Sequence, residues 1–180
     1  MLQHHENLDK SAQRCPDQYV GTISEINAAH PAEDFPHRKS ANSRLNKSCC
    51  IILILESPHT AEFIGTPGPA KRQTGTYIRT YITEVLGLNI YSKKDYGLIL
   101  LNPIQYQCSL GVSPGCIRDE VFRSVWNGGG EEDFIGRLKD IFQDGDILVN
   151  SCTVGSSGRE LRTLVQDAIE KIRPSVSLGK

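Results

Sequence analysis

Hydrophobic positions are sparse over residues 1–46 and concentrate after Cys49. The first run, I-I-L-I-L at residues 51–55, is continuous rather than alternating. That is the pattern of a parallel strand covered on both faces. Y-G-L-I-L-L, residues 96–101, is a second run of this kind. It stops at Asn102-Pro103, where proline ends a ladder. D-I-L-V, residues 146–149, is a third.

Between the runs the spacing changes to that of amphipathic helices. Tyr77, Ile78, Tyr81, Ile82, Val85 and Leu86 mark one helix. Ile117, Val121, Phe122, Val125 and Trp126 mark another, closed by Gly128-Gly129-Gly130. Phe134, Ile135, Leu138, Ile141 and Phe142 mark a third. Leu161, Leu164, Val165, Ala168, Ile169 and Ile172 form a final stripe. The order strand, helix, strand, helices, strand, helix predicts an α/β fold, a three-layer α/β/α sandwich with a short parallel sheet. Residues 47–180 form this single domain. Residues 1–46, with Pro16, Pro31, Pro36 and many charges, are expected to be a polar, partly flexible arm of loops and one short helix.

Right-handed crossovers put the C-terminal ends of parallel strands on one side, where ligands bind in open α/β sheets. Here those ends are polar. The first gives Glu56-Ser57-Pro58-His59, the second Asn102-Pro103-Ile104-Gln105-Tyr106, the third Asn150-Ser151-Cys152-Thr153. Gly155-Ser156-Ser157-Gly158 and Arg159 follow before the last helix. A carboxylate can orient or deprotonate water. Asparagine and glutamine read a base edge or an amide. Tyr106 or His59 can stack on a flat ring. The start of the last helix, with Ser156 and Ser157, can hold an anion. Together these predict a nucleotide or a flipped base as ligand.

Each of these residues also has a plainer reading. Glu56 can cap a loop, Asn102 can be a turn residue, and Tyr106 can be core. The Gly155–Gly158 segment makes a helix N-cap without a ligand. Lys71-Arg72 is a two-residue charge run, which is more often a solvated surface than a DNA clamp.

The stretch L-E-S-P-H at the end of the first run resembles the water-activating motif of the uracil-DNA glycosylase superfamily. L-L-N-P, residues 100–103, resembles the strand ending in that family's base-reading Asn. G-T-P-G-P-A-K-R-Q-T-G-T-Y-I resembles its glycine-containing loop and following helix. The resemblance runs over residues 49–172. It implies a uracil-DNA glycosylase-like fold, with Glu56, Ser57, His59 and Asn102 as catalytic residues. Pro58, Gln105, Tyr106, Asn150, Ser151 and Thr153 would line the base site. Ser156, Ser157, Arg159, Lys71 and Arg72 would hold phosphates. Leu55 stands where the family has glycine, and its His-Pro-Ser motif is absent as such; Arg173-Pro174-Ser175-Val176-Ser177 echoes it weakly, and Asn150-Ser151-Cys152-Thr153 could also stand in. The expectation is therefore a divergent DNA glycosylase for a damaged or modified base, in repair or antiviral defence.

Charge keeps two other functions open. With 20 basic and 21 acidic residues the net charge is −1, so no global field draws the chain to DNA. An enzyme on free nucleosides or nucleotides, and an inactive nucleic-acid-binding relative, both stand beside the glycosylase. The six cysteines, Cys15, Cys49, Cys50, Cys108, Cys116 and Cys152, form no disulfide framework. With no C-x-x-C pair upstream, neither an iron–sulfur cluster nor a zinc site is expected, and no other cofactor is. There is no secretory h-region and no run of roughly 20 apolar residues, so the expectation is a cytoplasmic monomer without a membrane partner.

Overall fold

The computed structural model describes residues 13–29, 34–44, 49–87, 95–108, 115–153 and 161–172. Five strands form one sheet in the order β2-β1-β4-β3-β5. They are β1 (Gln18–Thr22), β2 (Lys39–Ser40), β3 (Cys50–Ile54), β4 (Gly97–Leu101) and β5 (Ile147–Asn150). Strand β3 pairs in parallel with β4 on one side and β5 on the other, with Ile52 opposite both Ile99 and Leu148.

Alternation along β3 explains its continuous apolar run. Cys50, Ile52 and Ile54 face one core, with Ile99 and Leu101 of β4. Ile51 and Leu53 face a second core, with Leu98 and Leu100. Helices α3 (Gly115–Val125), α4 (Glu131–Ile141) and α5 (Leu161–Glu170) cover the first face through Phe122, Phe134, Leu138 and Val165. Trp126 lies between Phe122 and Phe134, each ring centroid 5.7 Å from its own. Helices α1 (Ile23–Ala28) and α2 (Gln73–Val85) cover the second face through Ile23, Ile26, Ile78 and Ile82. The fold is mixed α/β, with helices on both faces of a mixed sheet.

Two expectations need correction. The sheet is not wholly parallel, because β1 runs antiparallel to both β4 and β2. The stretch expected to be loops also supplies β1, an interior strand. Its only strong signal is Tyr19-Val20, one side chain to each core. The pairing with β4 then shifts register between Tyr19 and Gly21, where Gly21 takes φ +123°. A Cβ on Gly21 would lie 2.9 Å from the Pro36 ring. A strand with a glycine bulge halfway along it leaves little periodicity to read. The glycines after Trp126 close the helix as expected, since Gly128 and Gly129 both leave helical φ/ψ. The chain passes from α3 to α4 through a wide turn at Trp126–Gly130, with Gly129 left-handed at φ +110°.

Candidate functional site

The ends of β3, β4 and β5 are stitched together by backbone hydrogen bonds. Leu55 N donates to Leu101 O at 2.8 Å, and Ser151 N to Ile54 O at 2.8 Å. Ile104 N donates to Glu56 O at 3.4 Å. The Cys152 thiol donates to Leu55 O. Three segments far apart in sequence thus form one ledge, as the parallel arrangement predicts.

Glu56 is the central charged group of that ledge. Its side chain is 12% exposed. The Thr153 hydroxyl, from the β5 end, donates to Oε2. The Arg118 guanidinium, from α3, lies 3.2 Å from Oε1 through Nε. Arg118 is itself anchored on Asp119, which accepts from Nε at 2.9 Å and from Nη2 at 2.7 Å through one oxygen. Partial burial works against the Arg118 charge. Asp119 and Glu56 outweigh it and hold the guanidinium above the ordinary arginine range. Arg118 and Asp119 carry no signal in sequence, since an Arg-Asp pair on an amphipathic helix reads as a solvated face.

Two buried thiols, Cys108 and Cys152, lie close enough to feel the Glu56 charge. Burial pushes Cys108 up to about 12, against a hydrogen bond with Ser57. Burial and the nearby Glu56 charge push Cys152 higher still. Both are neutral packing groups at physiological pH rather than nucleophiles. Ser57 is half-buried and hydrogen-bonded to the Cys108 thiol, and Pro58 beside it is buried.

Several other expected residues are placed differently. Asn102 is only 1% exposed, and its amide donates to Cys15 Sγ at 3.7 Å. Gln105 is buried, with Cys15 N donating to its carbonyl at 2.9 Å. Arg137 binds the Asn102 and Pro103 carbonyls at 3.2 and 2.9 Å and pairs with Asp17 at 2.5 Å. The segment running into β1 thus covers the β4 end, which corrects Asn102 and Gln105 from ligand-facing groups to buried ones. Tyr106 is half-buried beside the ledge; its hydroxyl accepts from Arg14 Nε at 2.8 Å, and the guanidinium lies 5.2 Å from its ring centre.

His59 caps the short turn Thr60–Phe63, its Nδ1 accepting from Ala61 N at 3.2 Å, and its ring is exposed. Asn150 is spent locally, donating to Arg162 O at 3.0 Å and accepting from Cys152 N at 3.2 Å. Ser151 and Thr153 are exposed on the ledge. Lys71 bonds the Ile64 and Thr66 carbonyls at 2.6 Å each, so it ties its own loop. Arg72 is exposed at the start of α2, with φ +56°. Ser156, Ser157, Arg159 and residues 173–177 lie outside the described residues.

A separate groove of about 340 Å³ opens on the other face of the sheet, between α2 and β5. Leu53, Tyr77, Tyr81, Val85 and Val149 line it, and Ser151 closes it at the ledge. Among the described residues, no cluster of His, Cys, Asp and Glu has the arrangement of a metal site. No described helix is long and apolar enough to cross a membrane.

The chain matches no family model, no curated protein and no solved structure in comparisons with known proteins.

Proposed function

We propose that the chain is a DNA N-glycosylase acting on a damaged or modified base, on a uracil-DNA glycosylase-like version of its α/β fold. One observation carries the reading. Glu56, at the tip of the central parallel strand, is oriented from two sides by Thr153 and Arg118 where three strand ends meet. A cap would need only nearby backbone N–H groups. A carboxylate fixed by side chains from two other elements is suited to steering a water.

In this reading a flipped base enters above the ledge and stacks on Tyr106 or His59. The C1′–N bond lengthens toward an oxocarbenium-like sugar. Glu56 directs a water whose oxygen bonds C1′, and it takes up the water's proton. The base leaves with the electron pair of the broken bond. Asn102, buried against Cys15, shapes the β4 end rather than reading the base edge.

The test is base release from DNA containing uracil, hypoxanthine, 5-hydroxymethylcytosine or glucosylated cytosine, scored as alkali-labile breaks. Breaks on one substrate that fall by at least about 100-fold in Glu56→Gln establish the activity. Breaks undiminished by E56Q reject it. The net charge of −1 favours a second reading, a hydrolase of free nucleosides or nucleotides. That reading predicts Glu56-dependent cleavage of monomers without DNA affinity. DNA binding without cleavage of any substrate indicates an inactive reader.

A further inference from the structure

Arg118 and Asp119 are adjacent on α3, and neighbouring helical positions do not face each other. Their side chains nevertheless converge, and the pair leans on Glu56 from the α3 side. The contacts are unequal. Arg118 holds Asp119 at 2.7 and 2.9 Å and Glu56 at 3.2 Å, through one nitrogen. Asp119 is 3% exposed, whereas the Arg118 side chain is 27% exposed. The guanidinium is therefore anchored on a buried carboxylate and shared with a second one at the site.

That sharing decides what Glu56 can do. An arginine paired with Glu56 alone in two-pronged fashion would orient it and also cancel most of its field. An arginine whose stronger contacts go to Asp119 orients Glu56 from one side and leaves it charge to offer.

We propose that Asp119 and Arg118 are positioning residues that set the charge Glu56 presents, and that the site takes a ligand bearing positive charge at the reacting sugar carbon. The reaction this serves rests on the glycosylase reading, but the charge preference is measurable without it.

Two probes are compared. One is a pyrrolidine iminosugar, protonated at neutral pH, and the other is its neutral tetrahydrofuran counterpart. Each is used free and within a DNA strand, and affinities are measured with the intact chain. The wild-type protein binds the free cation about tenfold more tightly than the neutral probe. Asp119→Asn keeps the acceptor oxygen but removes the negative charge that competes for Arg118, so the guanidinium cancels more of the Glu56 field and the preference falls toward one while affinity for the neutral probe holds. Arg118→Gln moves it the opposite way, and Arg118→Lys retains it.

A purely structural role would lower binding of both probes in both variants, and that result overturns the proposal. So does a wild-type protein with no preference, or with no binding of either free probe. If D119N does not fold by circular dichroism, R118Q decides alone, a rise supporting the proposal and a fall rejecting it. Base release with no cation preference rejects the charge proposal and keeps the glycosylase. Preference for the free cation with no base release and no DNA affinity does the reverse.

Discussion

Arg44 presents its two terminal nitrogens to the two carboxylate oxygens of Asp146, at 2.5 and 2.8 Å, with both side chains almost wholly buried. Asp146 also accepts from Cys50 N at 2.8 Å and Gln143 N at 2.9 Å, while Arg44 reaches Ile141 O at 3.1 Å. The pair thus joins the segment after β2 to the starts of β3 and β5 and the end of α4. Breaking a buried, hydrogen-bonded pair by removing one partner costs about 3–5 kcal/mol. Arg44→Met and Asp146→Asn are each expected to lose that much in denaturant unfolding, and a loss under about 1 kcal/mol would contradict the role.

The same pair gives a pH dependence. Burial works to raise the Asp146 carboxyl, but Arg44 and the two backbone N–H groups hold it below the ordinary aspartate range. A depressed folded value stabilises above the unfolded value and is lost as pH falls through the folded one. Stability from this residue is therefore lost on acidification below about pH 4. In D146N that part of the acid dependence is absent, which thermal melts between pH 2 and 5 would show.

Glu62 behaves with the opposite sign. Its carboxylate accepts from Ala70 N at 2.5 Å and His59 N at 3.2 Å, and ties the loop before α2 to the turn after β3. Burial nevertheless raises it above the usual glutamate range. Its contribution is full below the unfolded value and falls as pH rises through the folded value. Glu62→Ala leaves backbone donors, the Ala70 and His59 N–H groups among them, without their acceptor and is expected to cost about 1–3 kcal/mol. Glu62→Gln keeps one acceptor oxygen, costs less, and flattens stability above about pH 4.5. Equal losses in both variants, measured by urea unfolding at pH 7, would show that the acceptor is not what matters.

The parallel core was legible because each of its strands is a run of apolar residues and each crossover helix a clean stripe. The convergence of Glu56, Ser151 and Thr153 followed from that topology alone, since parallel strands deliver their ends to one side. What could not be read was local. Strand β1 shows two apolar residues and a glycine bulge, too short a signal for period two. Asn102 looked like a ligand-reading group, but which polar tip residue is covered depends on where Cys15 and Asp17 pack, and they lie some ninety positions earlier. Arg118 lay hidden because a helix's polar face does not disclose which of its charges turns back toward the sheet.

Two helix glycines should respond in opposite directions to alanine. Gly136 in α4 is exposed, and a Cβ there meets nothing within 4 Å. Gly136→Ala should stabilise by about 0.5–1 kcal/mol, the ordinary helix effect. Gly75, in the first turn of α2, has the Ala70 carbonyl oxygen 2.1 Å from where its Cβ would sit. That oxygen is backbone and cannot swing aside, and Ala70 is already left-handed at φ +54°. Gly75→Ala should therefore destabilise by about 1–3 kcal/mol despite the better helix propensity. Thermal melts of the two variants decide this, and stabilisation by G75A would mean that the loop yields.

Thr153 tests the orientation of Glu56 with the smallest change in shape. Its hydroxyl donates to Oε2 from an exposed position at the end of β5, so replacing it removes one hydrogen bond and leaves the fold intact. Thr153→Val keeps the branched shape without the donor, and Thr153→Ser keeps the donor without the methyl. If Thr153 aims the carboxylate, T153V lowers the single-turnover rate of base release by about tenfold, the loss of one hydrogen bond to a charged group, while substrate affinity holds. T153S then stays within about twofold of wild type. Equal losses in the two variants would point to packing by the methyl group. A loss of affinity at unchanged rate would make Thr153 a substrate contact, and Glu56 would then owe its direction to Arg118 alone.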